Sequence, residues 1–210
     1  MYCVSIGFED FEKALKTISE FEMAEIRLDL CNFDRKQVKK IFSYHHNLIA
    51  TFRKTEKVRI NYREEILKTA VIHGAKWLDL DMTDNSKMFI IKMKEFCLQH
   101  NCKLILSVHD YEKTPGLGEI EGYIQYAEQF KPDLIKAVFY SNSPGDNAKV
   151  MSLYKKYKNI IAFNMGETGK ITRIESLNAG APWIYVASGE GSTAPGQLTI
   201  AEIKKYPKPK

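Results

Sequence analysis

Lys103-Leu104-Ile105-Leu106-Ser107-Val108-His109-Asp110 and, further on, Asp133-Leu134-Ile135-Lys136-Ala137-Val138 are the two stretches on which the reading turns. Each is a short apolar run that closes on an ionisable side chain. Residues 119–130 between them are amphipathic and helix-like. A strand, a helix and a second strand of this kind make a parallel crossover unit. An ammonium group at Lys136 is costly inside an apolar strand unless something uses it. Burial depresses a lysine pKa, and the neutral amine is what attacks a carbonyl to form a Schiff base. His109 closes the neighbouring strand and can titrate near neutral pH, so proton transfer is its natural role, although a lone histidine is more often structural.

The same alternation runs through the chain. Residues 2–6, 23–28, 48–53, 77–81, 103–108, 134–137, 160–164 and 183–186 read as strands. Residues 11–21, 34–43, 62–73, 85–100, 119–130, 146–157, 170–179 and 199–206 read as helices. Asp10 is an N-cap candidate and Gly74 a C-terminal stop. Eight strands alternating with eight helices predict a (β/α)8 TIM barrel, compact and with short loops, because 210 residues is near the lower limit for that fold. No Pro/Ser/Gly-rich linker and no shift in composition divides the chain, so residues 1–210 are expected to form a single domain.

Composition excludes several function classes. An apolar fraction of 44% with 27% charged residues is that of an ordinary globular protein. A net charge of +5, with no basic block beyond the Lys208-Pro209-Lys210 tail, does not imply nucleic acid. No apolar stretch approaches membrane-spanning length, and the opening Met1-Tyr2-Cys3-Val4-Ser5 is not a signal peptide. The expected location is cytoplasmic. The four cysteines, Cys3, Cys31, Cys97 and Cys102, form no CxxC pair and no zinc-ligand spacing, so reduced, mostly buried thiols are expected and no metal.

In a barrel the catalytic groups stand at the C-terminal ends of the strands. Collected there are Glu25 and Arg27, Arg53, Asp79 and Asp81, His109, Lys136, and Asn164 with Met165. Glu25 and Arg27 alternate, so both point to one face of their strand, as a functional pair or as an ion pair that fills space. Arg53 can hold a carboxylate or hydroxyl by forked hydrogen bonds, or it is a solvated loop arginine. The stretch 188–197, Ser-Gly-Glu-Gly-Ser-Thr-Ala-Pro-Gly-Gln, reads as a phosphate cradle or as a lid over the substrate. Residues 165–173 lead from the seventh strand into its helix, with Arg173 expected in the first helical turn. It is a candidate to grip a carboxylate, against a surface salt bridge.

These motifs together resemble type I 3-dehydroquinate dehydratase, an enzyme of the shikimate pathway. The resemblance rests on Glu25-x-Arg27-x-Asp29, Thr51-Phe52-Arg53, Ser107-x-His109-Asp110-Tyr111-x-Lys113-Thr114-Pro115, Lys136, Met165-Gly166, Arg173 and Ala194-Pro195-Gly196-Gln197, in that order over nearly the whole chain. It implies that Lys136 forms an imine with the C3 ketone of 3-dehydroquinate and that His109 moves the proton from C2 to the departing C1 hydroxyl. It implies that Glu25 positions and polarises His109, and that Arg27, Arg53, Arg173, Thr193 and Gln197 bind substrate, with Arg173 on its carboxylate. A homodimer is implied, and no metal or diffusible cofactor.

The chain departs from the family pattern in places. An acidic residue follows Arg53 by three positions, at Glu56, rather than four. Thr193 replaces a serine and Tyr111 a phenylalanine. An N-terminal hairpin that covers the barrel bottom in relatives is not seen, so the bottom is expected to be open or covered otherwise. Two rivals are a Schiff-base aldolase acting on a sugar phosphate and a non-catalytic metabolite-binding barrel. The aldolase wants a cation in the last loops, where Glu190 stands. The non-catalytic barrel predicts loss of Lys136 or His109, and both are present.

Overall fold

The computed structural model describes residues 1–56, 58–189 and 191–206. Glu190 and the Lys208-Pro209-Lys210 tail lie outside the described residues. The chain runs β1 (Tyr2–Ile6), α1 (Phe11–Ser19), β2 (Ala24–Arg27), α2 (Leu28–Cys31), α3 (Arg35–Tyr44), β3 (Leu48–Thr51), α4 (Ile60–Ile72), β4 (Trp77–Asp81) and α5 (Lys87–Gln99). It continues through β5 (Lys103–Asp110), α6 (Leu117–Glu128), β6 (Leu134–Tyr140), α7 (Pro144–Ser152), β7 (Ile160–Met165), α8 (Gly166–Ala179), β8 (Ile184–Ala187) and α9 (Ile200–Ile203). Asp10 caps α1 by accepting from the Lys13 amide, and Gly74 turns the chain after α4 at φ +109°.

The strands are parallel throughout, in the order β7-β6-β5-β4-β3-β2-β1-β8. Strands β4 and β8 are four places apart in that order. Even so, the rings of Trp77, which opens β4, and Trp183, just before β8, meet edge to face at 5.1 Å. Only a sheet curled round on itself brings them together, and the fold is a (β/α)8 barrel. The two indoles stand at the N-terminal end of the barrel, which answers what fills its bottom. Among the described residues no ladder joins β7 to β8.

Several boundaries differ from expectation. β6 does not stop near Lys136 but runs on to Tyr140, because Ala137-Val138-Phe139 continues the buried run. Lys136 is therefore a mid-strand residue, with Ser107 rather than His109 as its neighbour in register. β2 ends at Arg27, where Leu28–Cys31 folds into the short helix α2. The helix expected over 146–157 gives way after Ser152 to a 3-10 turn, Leu153–Lys155, and the last helix shrinks to Ile200–Ile203.

Helix α8 begins at Gly166, straight off the strand, and not at Lys170, so Arg173 does not lie in its first turn. Gly166 makes this abrupt entry possible. Its φ is +80°, and a Cβ there would lie 2.9 Å from the Tyr140 ring.

Candidate active site

Alternation along each strand decides what faces the barrel interior. Ser5, Glu25, Lys136, Val138, Phe163, Met165 and Tyr185 face inward and line one pocket of about 400 Å³ at the C-terminal ends of the strands. Arg27, Arg53, His109, Tyr111, Arg173, Thr193, Ala194 and Gln197 complete its lining. Of the candidates taken from the sequence, Lys136, His109, Glu25, Arg27, Arg53, Met165, Arg173, Thr193 and Gln197 converge there, while Asp79, Asp81 and Asn164 stand behind its lining.

Lys136 is 5% exposed, and its ammonium is surrounded. Nζ lies 3.1 Å from Asp79 Oδ2, 3.8 Å from Glu25 Oε1 and 4.2 Å above the centre of the Tyr185 ring. Two carboxylates and an aromatic face compensate the burial of the cation. Asp79 is fully buried and is the hub of the network. Its Oδ1 accepts from Arg53 Nη1 at 2.8 Å and from Ser107 Oγ at 2.6 Å. Burial pushes the Asp79 carboxyl up, but the charges of Arg53 and Lys136 outweigh it and hold the group well below the usual carboxylate range. In return, Asp79 and Asp81 overcome the desolvation of Arg53 and raise its pKa.

His109 Nδ1 lies 2.6 Å from Asp81 Oδ2. Glu25 is not its partner. The Glu25 carboxylate accepts from Ser5 Oγ at 3.0 Å and from Thr51 Oγ1 at 2.8 Å, and it faces Lys136. The expectation that Glu25 positions His109 is corrected on this geometry. Nor does His109 titrate near neutrality. Burial and the nearby Arg53 charge push its pKa down to about 4, and Asp81 only partly offsets them. The imidazole is thus neutral at pH 7. A carboxylate can only accept, so Nδ1 carries the hydrogen and the Nε2 lone pair is left as a base.

Arg173 reaches the pocket by an unexpected route. α8 packs on the outer side of β7, where Thr172 Oγ1 accepts from the Asn164 amide. The next side chain nevertheless stacks its guanidinium 4.3 Å from the centre of the inward-facing Phe163 ring. Arg173 is 2% exposed. Its Nη2 donates to Pro195 O at 3.1 Å, its Nε has no hydrogen-bond partner, and no carboxylate pairs with it among the described residues. Burial alone pushes its pKa down to about 9. A buried cation without a counter-ion suits an anionic ligand.

Arg27 is held by a fork, with Nε 3.0 Å and Nη2 2.6 Å from the two oxygens of Asp29, and its Nη1 donates to Thr193 O at 3.4 Å. Gln197 Oε1 accepts from the Thr193 amide and hydroxyl, while Nε2 donates to Ser5 Oγ at 3.0 Å. The described part of the loop after β8 is thereby tied to Glu25 through Ser5. Gly196, at φ +68°, fits against Gly166, whose carbonyl oxygen would lie 2.7 Å from an added Cβ. Asp79, Asp81, Ser5, Ser107 and Tyr185 received no role from the sequence. The alternation Asp79-x-Asp81 was the available signal, since it puts both carboxylates on one face as Glu25-x-Arg27 does.

Among the described residues, no group of three or more His, Cys, Asp or Glu side chains could hold a metal ion. All four cysteines are buried and unpaired. No described helix is long and apolar enough to cross a membrane.

Known proteins bear on this pocket. A profile of the family described as Type I 3-dehydroquinase matches residues 2–207. The 3-dehydroquinate dehydratase of Methanococcus vannielii is 33% identical, over 98% of this chain and 97% of its own. That of Thermococcus onnurineus is 30% identical, over 92% of this chain and 91% of its own. Among solved structures, the type I 3-dehydroquinate dehydratase of Clostridium difficile superposes with a TM-score of 0.84 at 23% identity, covering 97% of this chain and 89% of that one. The Aquifex aeolicus 3-dehydroquinate dehydratase gives 0.83 at 23%, with coverage of 98% and 96%.

Proposed function

The chain belongs to the type I 3-dehydroquinase family, and on that premise we propose how its pocket removes water from 3-dehydroquinate. Lys136 Nζ, once deprotonated, attacks the C3 ketone. Loss of water from the carbinolamine gives a protonated imine. The cationic nitrogen then withdraws electrons and acidifies the adjacent C2–H.

His109 Nε2 takes the C2 proton, and the electron pair enters the enamine. Return of the pair expels the C1 hydroxyl, which leaves as water with the proton carried by His109. Hydrolysis of the product imine releases 3-dehydroshikimate and restores Lys136. A neutral imidazole in the resting site suits the first proton transfer, which needs a base.

Glu25 and Asp79 hold the Lys136 nitrogen and are the nearest acceptors for its proton. The partnerless guanidinium of Arg173 takes the substrate carboxylate. Arg27, Arg53, Thr193 and Gln197 face the remaining hydroxyls from the pocket walls. The expected homodimer and cytoplasmic setting belong to the same reading, and sedimentation of the pure protein tests the dimer.

The observation that carries the mechanism is a buried lysine between two carboxylates, sharing one pocket with a neutral histidine and an unpaired arginine. Incubation with 3-dehydroquinate and borohydride, followed by peptide mass mapping, tests it. A reduced adduct on Lys136 is expected. An adduct on another lysine, or none, sinks the mechanism.

A further inference from the structure

A histidine that must offer one particular nitrogen needs a partner on the other. In this chain that partner is itself held from three sides. Asp81 Oδ1 accepts from the Thr83 amide at 2.9 Å and from the Thr83 hydroxyl at 2.6 Å. Both bonds fall on one oxygen, so Oδ2 is left for His109 Nδ1 at 2.6 Å. The Asp81 backbone is pinned as well. Its carbonyl accepts from Asn85 Nδ2 at 2.6 Å, and Asn85 Oδ1 accepts from the buried Arg63, whose Nε also donates to Phe52 O. The ends of β3 and β4 are thereby tied together beside the pocket.

Glu56, the acidic residue that follows Arg53, does none of this. It is exposed, and no hydrogen bond or ion pair involves it among the described residues. Charged groups acting on His109 are Arg53 from beyond β3, Asp79 and Asp81 from β4, and Lys136 from β6, with the Tyr111 ring stacked at 6.0 Å. Of these, Asp81 alone hydrogen-bonds the imidazole.

Resting on the dehydratase mechanism above, we propose that Asp81 is the positioning residue of His109, fixing the Nδ1–H tautomer and steadying the imidazolium formed when C2 loses its proton. In this chain the carboxylate comes from the end of β4, at Asp81, and not from Glu25 on β2. It lines no part of the pocket, so it acts through His109 and not on the substrate.

Asp81→Asn is the informative variant. Its amide oxygen can keep both Thr83 bonds while its NH2 faces His109. That donor imposes the opposite tautomer and blocks the base. The expected kcat falls roughly 10²–10⁴-fold with little change in KM. Borohydride still traps imine at Lys136. The acid limb of the kcat profile moves to lower pH, because the charge that favours the imidazolium is gone. Nitrogen-15 spectra of the histidine rings, with His109 assigned through His109→Gln, should show Nδ1–H in the parent protein and its loss in Asp81→Asn. Glu56→Gln should leave kcat unchanged.

The proposal is overturned if Asp81→Asn keeps kcat within about twofold of the parent. It is equally overturned if the parent His109 carries its proton on Nε2, a measurement that stands even if the variant does not fold, or if Glu56→Gln loses as much kcat as Asp81→Asn. Absence of imine at Lys136 in the parent would sink the mechanism and not this assignment, which the ring-nitrogen spectra decide by themselves.

Discussion

The guanidinium of Arg173 lies 4.3 Å from the centre of the Phe163 ring, buried and without a carboxylate partner among the described residues. A cation in that position costs stability while the pocket is empty and gains its counter-ion from the ligand. Arg173→Met should therefore raise folding stability by at least ~1 kcal/mol, since removing an uncompensated buried charge relieves its desolvation. The same change should weaken binding of the carboxylate substrate by more than roughly 10²-fold. Urea unfolding and kcat/KM measured on one preparation check both signs. Arg173→Lys should recover little activity, because an ammonium cannot make two parallel bonds to a carboxylate.

Lys136→Ala should abolish dehydration and leave the fold standing. Asp79 keeps Arg53 and Ser107 when the ammonium is removed, and Glu25 keeps the hydroxyls of Ser5 and Thr51. Turnover, circular dichroism and borohydride trapping read the three parts. An adduct that persists on another lysine would contradict the assignment.

His109 links activity and stability to pH. Its folded pKa, about 4, lies below the ordinary value of 6.5. Between these two values the unfolded chain binds a proton that the folded chain refuses. Stability present above pH 6.5 is accordingly lost as pH falls towards 4, by at most roughly 3 kcal/mol from this group. Urea midpoints of the parent and of His109→Gln at pH 7 and pH 5 should diverge by this contribution, with the variant less sensitive to acid. The acid limb of kcat/KM should likewise lie nearer 4 than 6.5.

Gln197→Ala removes the bond to Ser5 and the acceptor for both Thr193 donors. Weaker substrate binding is expected, with imine still formed on Lys136. Amide exchange over residues 191–197 should be slowed in the parent once the adduct is trapped, and less so in the variant. Equal exchange in the free and trapped parent would mean that the segment is no lid.

The sequence by itself determined the layout. Short apolar runs alternating with amphipathic ones specify parallel strands and crossover helices, because each pattern buries an apolar face at only one period. Inward alternation then brings Glu25, Lys136 and the strand-end His109 to one mouth. That much is local information, read two to four residues at a time. Partners were a different matter. Asp81 rather than Glu25 meets His109, and Asp79 joins Lys136 to Arg53, because the register between strands sets which side chains are neighbours. The histidine's low pKa depends on burial and on a guanidinium from beyond another strand, neither of which a linear motif carries. Arg173 reaches the pocket from α8, a helix outside the sheet, and no strand alternation in the sequence marks that approach.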